Sequence, residues 1–258
     1  MIDVALSPTD RARLEYSFDS RGFVVWPRLL VSDKLEEARR CLESRGLAAE
    51  QWHDGQRRAS GLHHVPGFLR SLGEALYGHP VTDFLISYPH RMLESYAIER
   101  TWGSLDLHGG NAEFLDGRDV RDISARSWVE GGRIYSLRVK VLIYLDDVTE
   151  VEDGRFGYIE GSHKSAFAFH RAFPEGRGCA TGLWRAVEMR AGDIVWLNEA
   201  LLHGAEEKTS PKRRRLLAFT YGPAFMANWK ELHGPSQSAS GYLPTETEGK
   251  YPDGRLDE

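Results

Sequence analysis

The pattern of apolar and polar positions in the first eighty residues predicts mainly helices. Ser7-Pro8 is typical of a helix start, with a capping hydroxyl followed by proline in the first turn. A second helix is predicted from its single apolar stripe of Leu35, Ala38 and Leu42, and residues 67–77 predict a third. The short apolar run 22–26 predicts a strand, whereas the polar segment 48–61 predicts a loop.

From about residue 83 the sequence pattern changes to short apolar runs separated by turn residues, and these runs predict strands. The longest signal covers residues 134–145, where apolar or aromatic residues hold the odd positions and Arg138, Lys140 and Tyr144 hold even ones. That alternation predicts a strand with one apolar and one mixed face. Further strands are predicted at 84–88, 93–98, 193–197 and 215–221.

Short helices followed by many short strands favour a β-rich α+β fold, a barrel or sandwich with helical buttresses. No internal repeat or linker divides the 258 residues, so a single domain is expected over 1–258. Its expected parts are a helical buttress at 1–80, a barrel core at 84–225 and a loose polar tail at 236–258.

Composition narrows the possible functions. With 38 acidic and 33 basic residues the net charge is −5, which argues against a nucleic-acid-binding protein. No apolar run is long enough to span a membrane and the start does not resemble a secretory signal, so a cytoplasmic location is expected. The two cysteines, Cys41 and Cys179, exclude a cysteine-rich metal site, and any metal must be held by histidine and oxygen ligands.

Two histidines stand out among the ten by their context. His108 and His203 each lie at or just past a predicted strand and each precedes a glycine, which allows backbone or ligand to approach closely. Arg214 lies eleven positions after His203 and opens another predicted strand. An arginine that points inward from this strand needs an anion, and its planar fork suits a carboxylate. Two histidines and an arginine on neighbouring strands suit a metal that shares a dicarboxylate ligand.

Several segments together, by their order and spacing, resemble one protein family. They are Phe18 to Val25, Gly132 to Ser136, Leu145 to Val148, Gly161 to Lys164, Gly192-Asp193, and His203-Gly204 with Arg214. On these segments the sequence resembles the phytanoyl-CoA dioxygenase-like branch of the iron(II)/2-oxoglutarate-dependent oxygenases. The resemblance implies a double-stranded β-helix (jelly-roll) with helices packed on one side. It also implies Fe(II), 2-oxoglutarate and O₂ as cofactors. His108 and His203 would be iron ligands, Arg214 would bind the far carboxylate of 2-oxoglutarate, and Ser210 would assist it.

One position departs from the family pattern. The family motif is His-x-Asp or His-x-Glu, which completes two histidines and one carboxylate around iron. Here the third position of the motif is Gly110. Three alternatives are open. Another carboxylate binds the iron, with Asp106, Glu113 and Asp116 as candidates; the iron site is inactive; or a different ligand occupies the position that the carboxylate leaves empty.

The third alternative resembles the iron/2-oxoglutarate halogenases, in which a small residue leaves room for chloride on the iron. On this resemblance we expect a halogenase that chlorinates an unactivated carbon, with Gly110 beside the chloride and with succinate and CO₂ as by-products. A hydroxylase of the phytanoyl-CoA dioxygenase type and a non-catalytic jelly-roll binding protein remain the alternatives.

The substrate is the least constrained feature. Nothing in the chain marks a surface for a carrier protein, so a free small metabolite is expected rather than a tethered one. A nucleoside or deoxynucleotide is the first candidate, because the many arginines offer contacts for a phosphate.

Overall fold

The structure is a computed structural model that describes residues 6–44, 50–53, 55–64, 66–109, 113–115, 118–120, 126–165 and 182–225. For 50–53, 113–115 and 118–120 it describes the backbone only. The helices are α1 (Pro8–Arg21), α2 (Ser32–Ser44), α3 (Phe68–Tyr77) and α4 (Pro80–Ile86), with a 3₁₀ turn at Leu62–His64. The strands that precede residue 110 are β1 (Phe23–Trp26), β2 (Glu50–His53), β3 (Gln56–Ser60), β4 (His90–Arg100) and β5 (Gly103–His108). The later strands are β6 (Glu113–Leu115), β7 (Arg118–Val120), β8 (Ser127–Glu130), β9 (Arg133–Ser136), β10 (Val139–Tyr144), β11 (Phe156–Ile159), β12 (Trp184–Val187), β13 (Ile194–Asn198), β14 (His203–Lys208) and β15 (Arg214–Pro223).

Two antiparallel sheets form the core of the described residues. The large sheet has the order β1-β13-β10-β15-β4-β3-β2, and the small sheet has the order β12-β11-β14-β5. The hairpins β6–β7 and β8–β9 form separate two-stranded sheets. Most neighbouring strands are far apart in sequence, as in a jelly-roll: the pairs are β1–β13, β13–β10, β10–β15 and β15–β4 in the large sheet, and β11–β14 and β14–β5 in the small sheet. The predicted double-stranded β-helix with helical buttresses is therefore confirmed.

The outer face of the large sheet packs against the helices. Residues at the odd positions of β10, together with Trp196 on β13 and Phe219 on β15, share one buried apolar cluster with the helical residues Phe18, Leu76 and Leu85. Helix α1 begins with a capping box, in which Ser7 and Asp10 exchange side-chain to backbone hydrogen bonds. The apolar half of the predicted alternation thus holds the buttress in place.

The inner face of the large sheet points toward the small sheet. Leu142 and Tyr144 on β10 pack with Phe156 and Tyr158 of the small sheet in a second apolar cluster. The even positions of β10 are therefore an interior wall, and Lys140 on that wall is buried rather than solvated. The mixed face that the sequence predicts is the face that the site uses.

Three predicted elements differ from the structure. Residues 84–88 belong to helix α4 and a turn, because Pro80 occupies the first turn and the His79 side chain caps it by accepting from the Val81 amide at 3.2 Å. The segment 48–61 contains β2 and β3 rather than a loop. The strand predicted at 134–145 is two strands, β9 and β10.

The first eighty residues also contribute strands to the large sheet. Strand β1 pairs with β13 and β3 pairs with β4, so residues before 80 extend the large sheet at both of its ends. The predicted loose tail at 236–258 lies outside the described residues. None of the helices in the described ranges is long and apolar enough to cross a membrane.

Candidate active site

His108 and His203 meet on the small sheet. His108 ends β5, His203 begins β14, and the two are direct partners across the antiparallel pair. Their ring centroids lie 4.2 Å apart. Residues 95 positions apart in the sequence are thus brought to one point, as the predicted pairing of two histidine ligands requires.

Backbone carbonyl groups fix the orientation of both rings. Nδ1 of His108 lies 3.0 Å from the Asp106 carbonyl oxygen, and Nδ1 of His203 lies 2.7 Å from the Leu201 carbonyl oxygen. A carbonyl only accepts, so each Nδ1 carries the proton and donates it. Each Nε2 then keeps its lone pair, which is the arrangement that a metal-binding imidazole needs.

Burial favours the neutral form of both rings. Burial lowers the pKa of His108 and lowers the pKa of His203 well below its ordinary value. His203 is almost inaccessible to solvent, whereas His108 is exposed although protein surrounds it closely. The histidine pair is therefore accessible to a ligand from the side of His108.

Gly109 explains why a glycine follows His108. Its φ of +78° lies in the left-handed region, and a Cβ atom there would lie 2.8 Å from the carbonyl oxygens of Glu199 and Leu201. The chain that leaves β5 thus passes close against the turn that leads into His203. This close passage keeps the two histidines together.

No third ligand joins the two histidines within the described residues, where no cluster of three His, Cys, Asp or Glu side chains could hold a metal. Asp106, one of the predicted candidates, lies where β5 bulges between Leu105 and His108 and offers its carbonyl to the His108 ring instead. Gly110 and Asp116 lie outside the described residues, as does the side chain of Glu113. The roles of these three stay predictions.

Arg214 is buried on the inner wall, beside a second arginine. Arg214 donates from Nε to the Gly154 carbonyl oxygen at 2.8 Å, and its Cα partner on β4 is Arg100, which is 1% exposed. Burial first and the neighbouring charge of Arg214 second lower the pKa of Arg100 to about 8. Tyr144 lies near enough for both guanidinium charges to affect its pKa, which burial raises. Two buried cations and a phenol therefore share one end of the wall.

This end of the wall fits a carboxylate. No described carboxylate forms an ion pair with Arg100 or Arg214, and Nη1 of Arg100 and the Tyr144 hydroxyl are buried without a hydrogen-bond partner among the described residues. The Gln56 amide oxygen, turned toward Arg100, accepts from its Nε at 3.0 Å and neutralises no charge. Buried cations without a counter-ion are costly, and an anion such as one end of 2-oxoglutarate would remove that cost.

Ser210 lies in a different setting. Its hydroxyl donates to Asp153 Oδ1 at 2.8 Å, in a turn where Lys212 also pairs with Asp153 at 2.9 Å. Its described contacts are with this turn and not with Arg214. The assistance that Ser210 would give to 2-oxoglutarate stays a prediction.

The sequence reasoning missed several residues of this interior. Arg100 was not singled out because it ends a strand whose neighbouring residues are also charged, which gives no local signal. Glu199 forms a buried ion pair with Lys140 at 2.5 Å. It lies four residues before His203, in the segment that drew attention to that histidine, so its position was a usable signal.

Comparison with known proteins agrees with this geometry. The family model for phytanoyl-CoA dioxygenase (PhyH) matches residues 121–216. The crystal structure of HygX from Streptomyces hygroscopicus with nickel, 2-oxoglutarate and hygromycin B bound is 35% identical to this chain. The match covers 87% of this chain and 90% of HygX, with a TM-score of 0.79.

More distant structures share the fold. The epimerase SnoN of nogalamycin biosynthesis is 18% identical with a TM-score of 0.64, over 84% of this chain and 85% of SnoN. The carbocyclase SnoK of nogalamycin biosynthesis is 21% identical with a TM-score of 0.64, over 92% of this chain and 96% of SnoK. A search of curated proteins found no match.

Proposed function

Because the chain belongs to the phytanoyl-CoA dioxygenase family of iron(II)/2-oxoglutarate-dependent oxygenases, we propose that it oxidises an aliphatic C–H bond of a free small natural product. The reaction consumes O₂ and converts 2-oxoglutarate into succinate and CO₂. One observation carries the proposal: two neutral histidines with free Nε2 atoms share an interior with two buried arginines that have no described carboxylate partner.

His108 and His203 would hold the iron, and the Arg100–Arg214 end of the wall would hold 2-oxoglutarate. Iron and 2-oxoglutarate, when bound, supply with O₂ the oxidising power to break an unactivated C–H bond. The chain would position these groups: the Asp106 and Leu201 carbonyls fix the imidazoles, and Arg214 would orient the far carboxylate. Apolar side chains of the inner wall, Leu142, Leu216 and Ala218, would exclude water from the interior next to the arginines.

Oxygen insertion is the leading form of this proposal. HygX was crystallised with 2-oxoglutarate and hygromycin B, which supports the cosubstrate and a free natural product as substrate class. Halogenation is the second candidate. It is favoured by the sequence alone, in which glycine occupies position 110 where the family motif has a carboxylate.

Turnover and product mass test the proposal together. The protein, Fe(II) and 2-oxoglutarate are incubated in air with a panel of natural products, and succinate is measured by chromatography. We expect succinate with the wild type, none with His203→Ala, and wild-type amounts with the control His64→Ala, which changes an exposed histidine. Succinate formation that survives His203→Ala would contradict the proposed metal site.

Mass spectrometry of the product, made with and without chloride, separates the two candidates. The leading proposal predicts gain of one oxygen atom, independent of chloride. A chlorine isotope doublet that disappears in Gly110→Asp would instead establish the halogenase alternative.

A further inference from the structure

The inner wall of the large sheet has two polar ends. Across the three central strands, Glu94, Thr220 and Lys140 are consecutive partners on β4, β15 and β10. Six residues further along β4 lies Arg100, partner of Arg214. At ~3.3 Å per residue the two ends lie about 20 Å apart along the strand. The apolar side chains Leu142, Leu216 and Ala218 lie between them.

We name the first end the Glu94 row and define it as Glu94, Thr220 and Lys140 with their contacts Arg58 and Glu199. It is built of paired charges. Arg58 forms an ion pair with Glu94, and Lys140 forms one with Glu199 at 2.5 Å. Both cations also lie over the Tyr96 ring, with the Arg58 guanidinium carbon 3.8 Å and the Lys140 nitrogen 5.7 Å from its centroid.

The Glu94 row lies beside the two histidines. A Cβ atom on Gly109, the residue after His108, would lie 2.8 Å from the Glu199 carbonyl oxygen and 3.5 Å from Cε1 of the His203 ring, so Glu199 of the row is next to both histidines. Thr220, which is 4% exposed, has a buried hydroxyl without a hydrogen-bond partner among the described residues. An unpaired buried hydroxyl is costly in a folded protein, and it therefore points to a ligand.

The chemistry of the row selects its ligand. Each of its two cations already forms an ion pair with a carboxylate, so neither offers an uncompensated charge to a phosphate. An alkyl chain pressed against these groups would desolvate them without replacing a hydrogen bond. The Glu199 carboxylate has acceptor sites beyond its ion pair and the Lys140 ammonium has further donors, and a hydroxyl group, which both donates and accepts, complements both.

From this juxtaposition we infer that the Glu94 row binds the hydroxyl groups of a sugar-like or cyclitol-like substrate and presents its C–H bond to the histidine pair. This inference rests on the proposed function and specifies its substrate class: a polyhydroxylated molecule rather than an acyl thioester or a nucleotide. Glu199 and Thr220 act as specificity-determining residues.

Calorimetric titration tests the inference on the full chain loaded with Ni(II) and 2-oxoglutarate. The probes are two polyhydroxylated compounds, hygromycin B and galactinol, with palmitoyl-CoA and deoxyadenosine monophosphate for comparison. We expect at least one polyhydroxylated probe to bind, and neither of the other two. Thr220→Val and Glu199→Gln should each raise its Kd by about 10-fold or more.

Matched controls change the same residue types at exposed positions: Thr209→Val and Glu207→Gln should leave the Kd unchanged within about 2-fold. Thr220→Val removes a hydroxyl that bonds no described group, so it should fold normally and decides the outcome if Glu199→Gln does not fold.

The inference would be overturned by tight binding of palmitoyl-CoA or the nucleotide with no binding of either polyhydroxylated probe, or by binding of those probes that neither substitution weakens. Failure of both polyhydroxylated probes to bind while 2-oxoglutarate still binds would also overturn the inference, but it would leave the proposed function intact. Failure of 2-oxoglutarate itself to bind would sink the proposed function.

Discussion

Substitution of Arg100 by glutamine should separate a ligand-binding arginine from a structural one. In the cosubstrate-free protein, Arg100 is a buried cation next to another, with one nitrogen unpartnered. A guanidinium pKa lowered to about 8 corresponds to on the order of 5 kcal/mol less stabilisation of the charged form than in water. Arg100→Gln removes this buried charge, which favours the folded state, but it also loses the hydrogen bonds to Gln56. Because the charge is the larger effect, the unfolding free energy should stay the same or rise by about 1–3 kcal/mol.

The same substitution should weaken 2-oxoglutarate binding. Loss of a charge-assisted, paired hydrogen bond of about 1.5–3 kcal/mol raises the Kd by roughly 10–150-fold. A cosubstrate at 100 times the wild-type Kd stabilises the wild type by about 2.7 kcal/mol, but a variant weakened 100-fold by only about 0.4 kcal/mol. For a chain of this size the gain in Tm on adding 2-oxoglutarate would fall from about 5–10 °C to about 1 °C.

Thermal unfolding of the Ni(II)-loaded protein, followed by circular dichroism with and without 2-oxoglutarate, measures both effects. Arg215→Gln is the matched control, because Arg215 is the next residue on β15 but pairs with Asp146 at 2.7 Å and with Glu43 at 3.1 Å. It should lower the Tm of the cosubstrate-free protein and leave the 2-oxoglutarate gain intact. If Arg100→Gln behaved like Arg215→Gln, the reasoning on the uncompensated cations would be refuted.

Three further predictions follow from single contacts. Arg214→Ala should raise the 2-oxoglutarate concentration needed for half-maximal succinate formation by 10-fold or more, and an unchanged requirement would show that another arginine anchors the carboxylate. Gly109→Ala should lower the unfolding free energy measured in urea by about 2 kcal/mol or more, because its Cβ would lie 2.8 Å from two carbonyl oxygens at a φ of +78°; unchanged stability would contradict the close passage. Although burial opposes ionisation of Asp153, hydrogen bonds from Lys212, Ser210 and the Glu150 amide lower its pKa from 3.8 to about 2. Its contribution of roughly 2 kcal/mol should be complete above about pH 4 and fade as the pH falls toward 2, and Asp153→Asn should abolish this acid-dependent part of the urea unfolding curve.

Most of what the sequence predicted about the barrel came from the alternation of apolar and polar positions along its strands. The period of two over 134–145 located β10 because one face is apolar against the helices, although the break at Leu137-Arg138 left no signal in the pattern. Strand β3 was missed because Gln56-Arg-Arg-Ala-Ser60 is polar, and polar side chains that point into a ligand-binding interior look like a loop. Helix α4 was taken for a strand because its apolar run is too short to show a period.

The candidate site divides in the same way. His108, His203 and Arg214 were recoverable, since their glycine neighbours and spacing match a family pattern. Arg100, Glu94 and Thr220 were not, because their significance comes from the register of strands that no local spacing encodes. Lys140 and Tyr144 were named only as members of a mixed face, and pairing with β15 is what places them on the interior wall.

The measurement that tests the central claim most directly is anaerobic addition of Fe(II) and 2-oxoglutarate, followed by visible absorption. A metal held by His108 and His203 with 2-oxoglutarate on it should give the weak charge-transfer band of such ternary complexes. We predict this band for the wild type and its loss in His108→Ala and His203→Ala. No band in the wild type at saturating cosubstrate, or an unchanged band in both variants, would contradict the account.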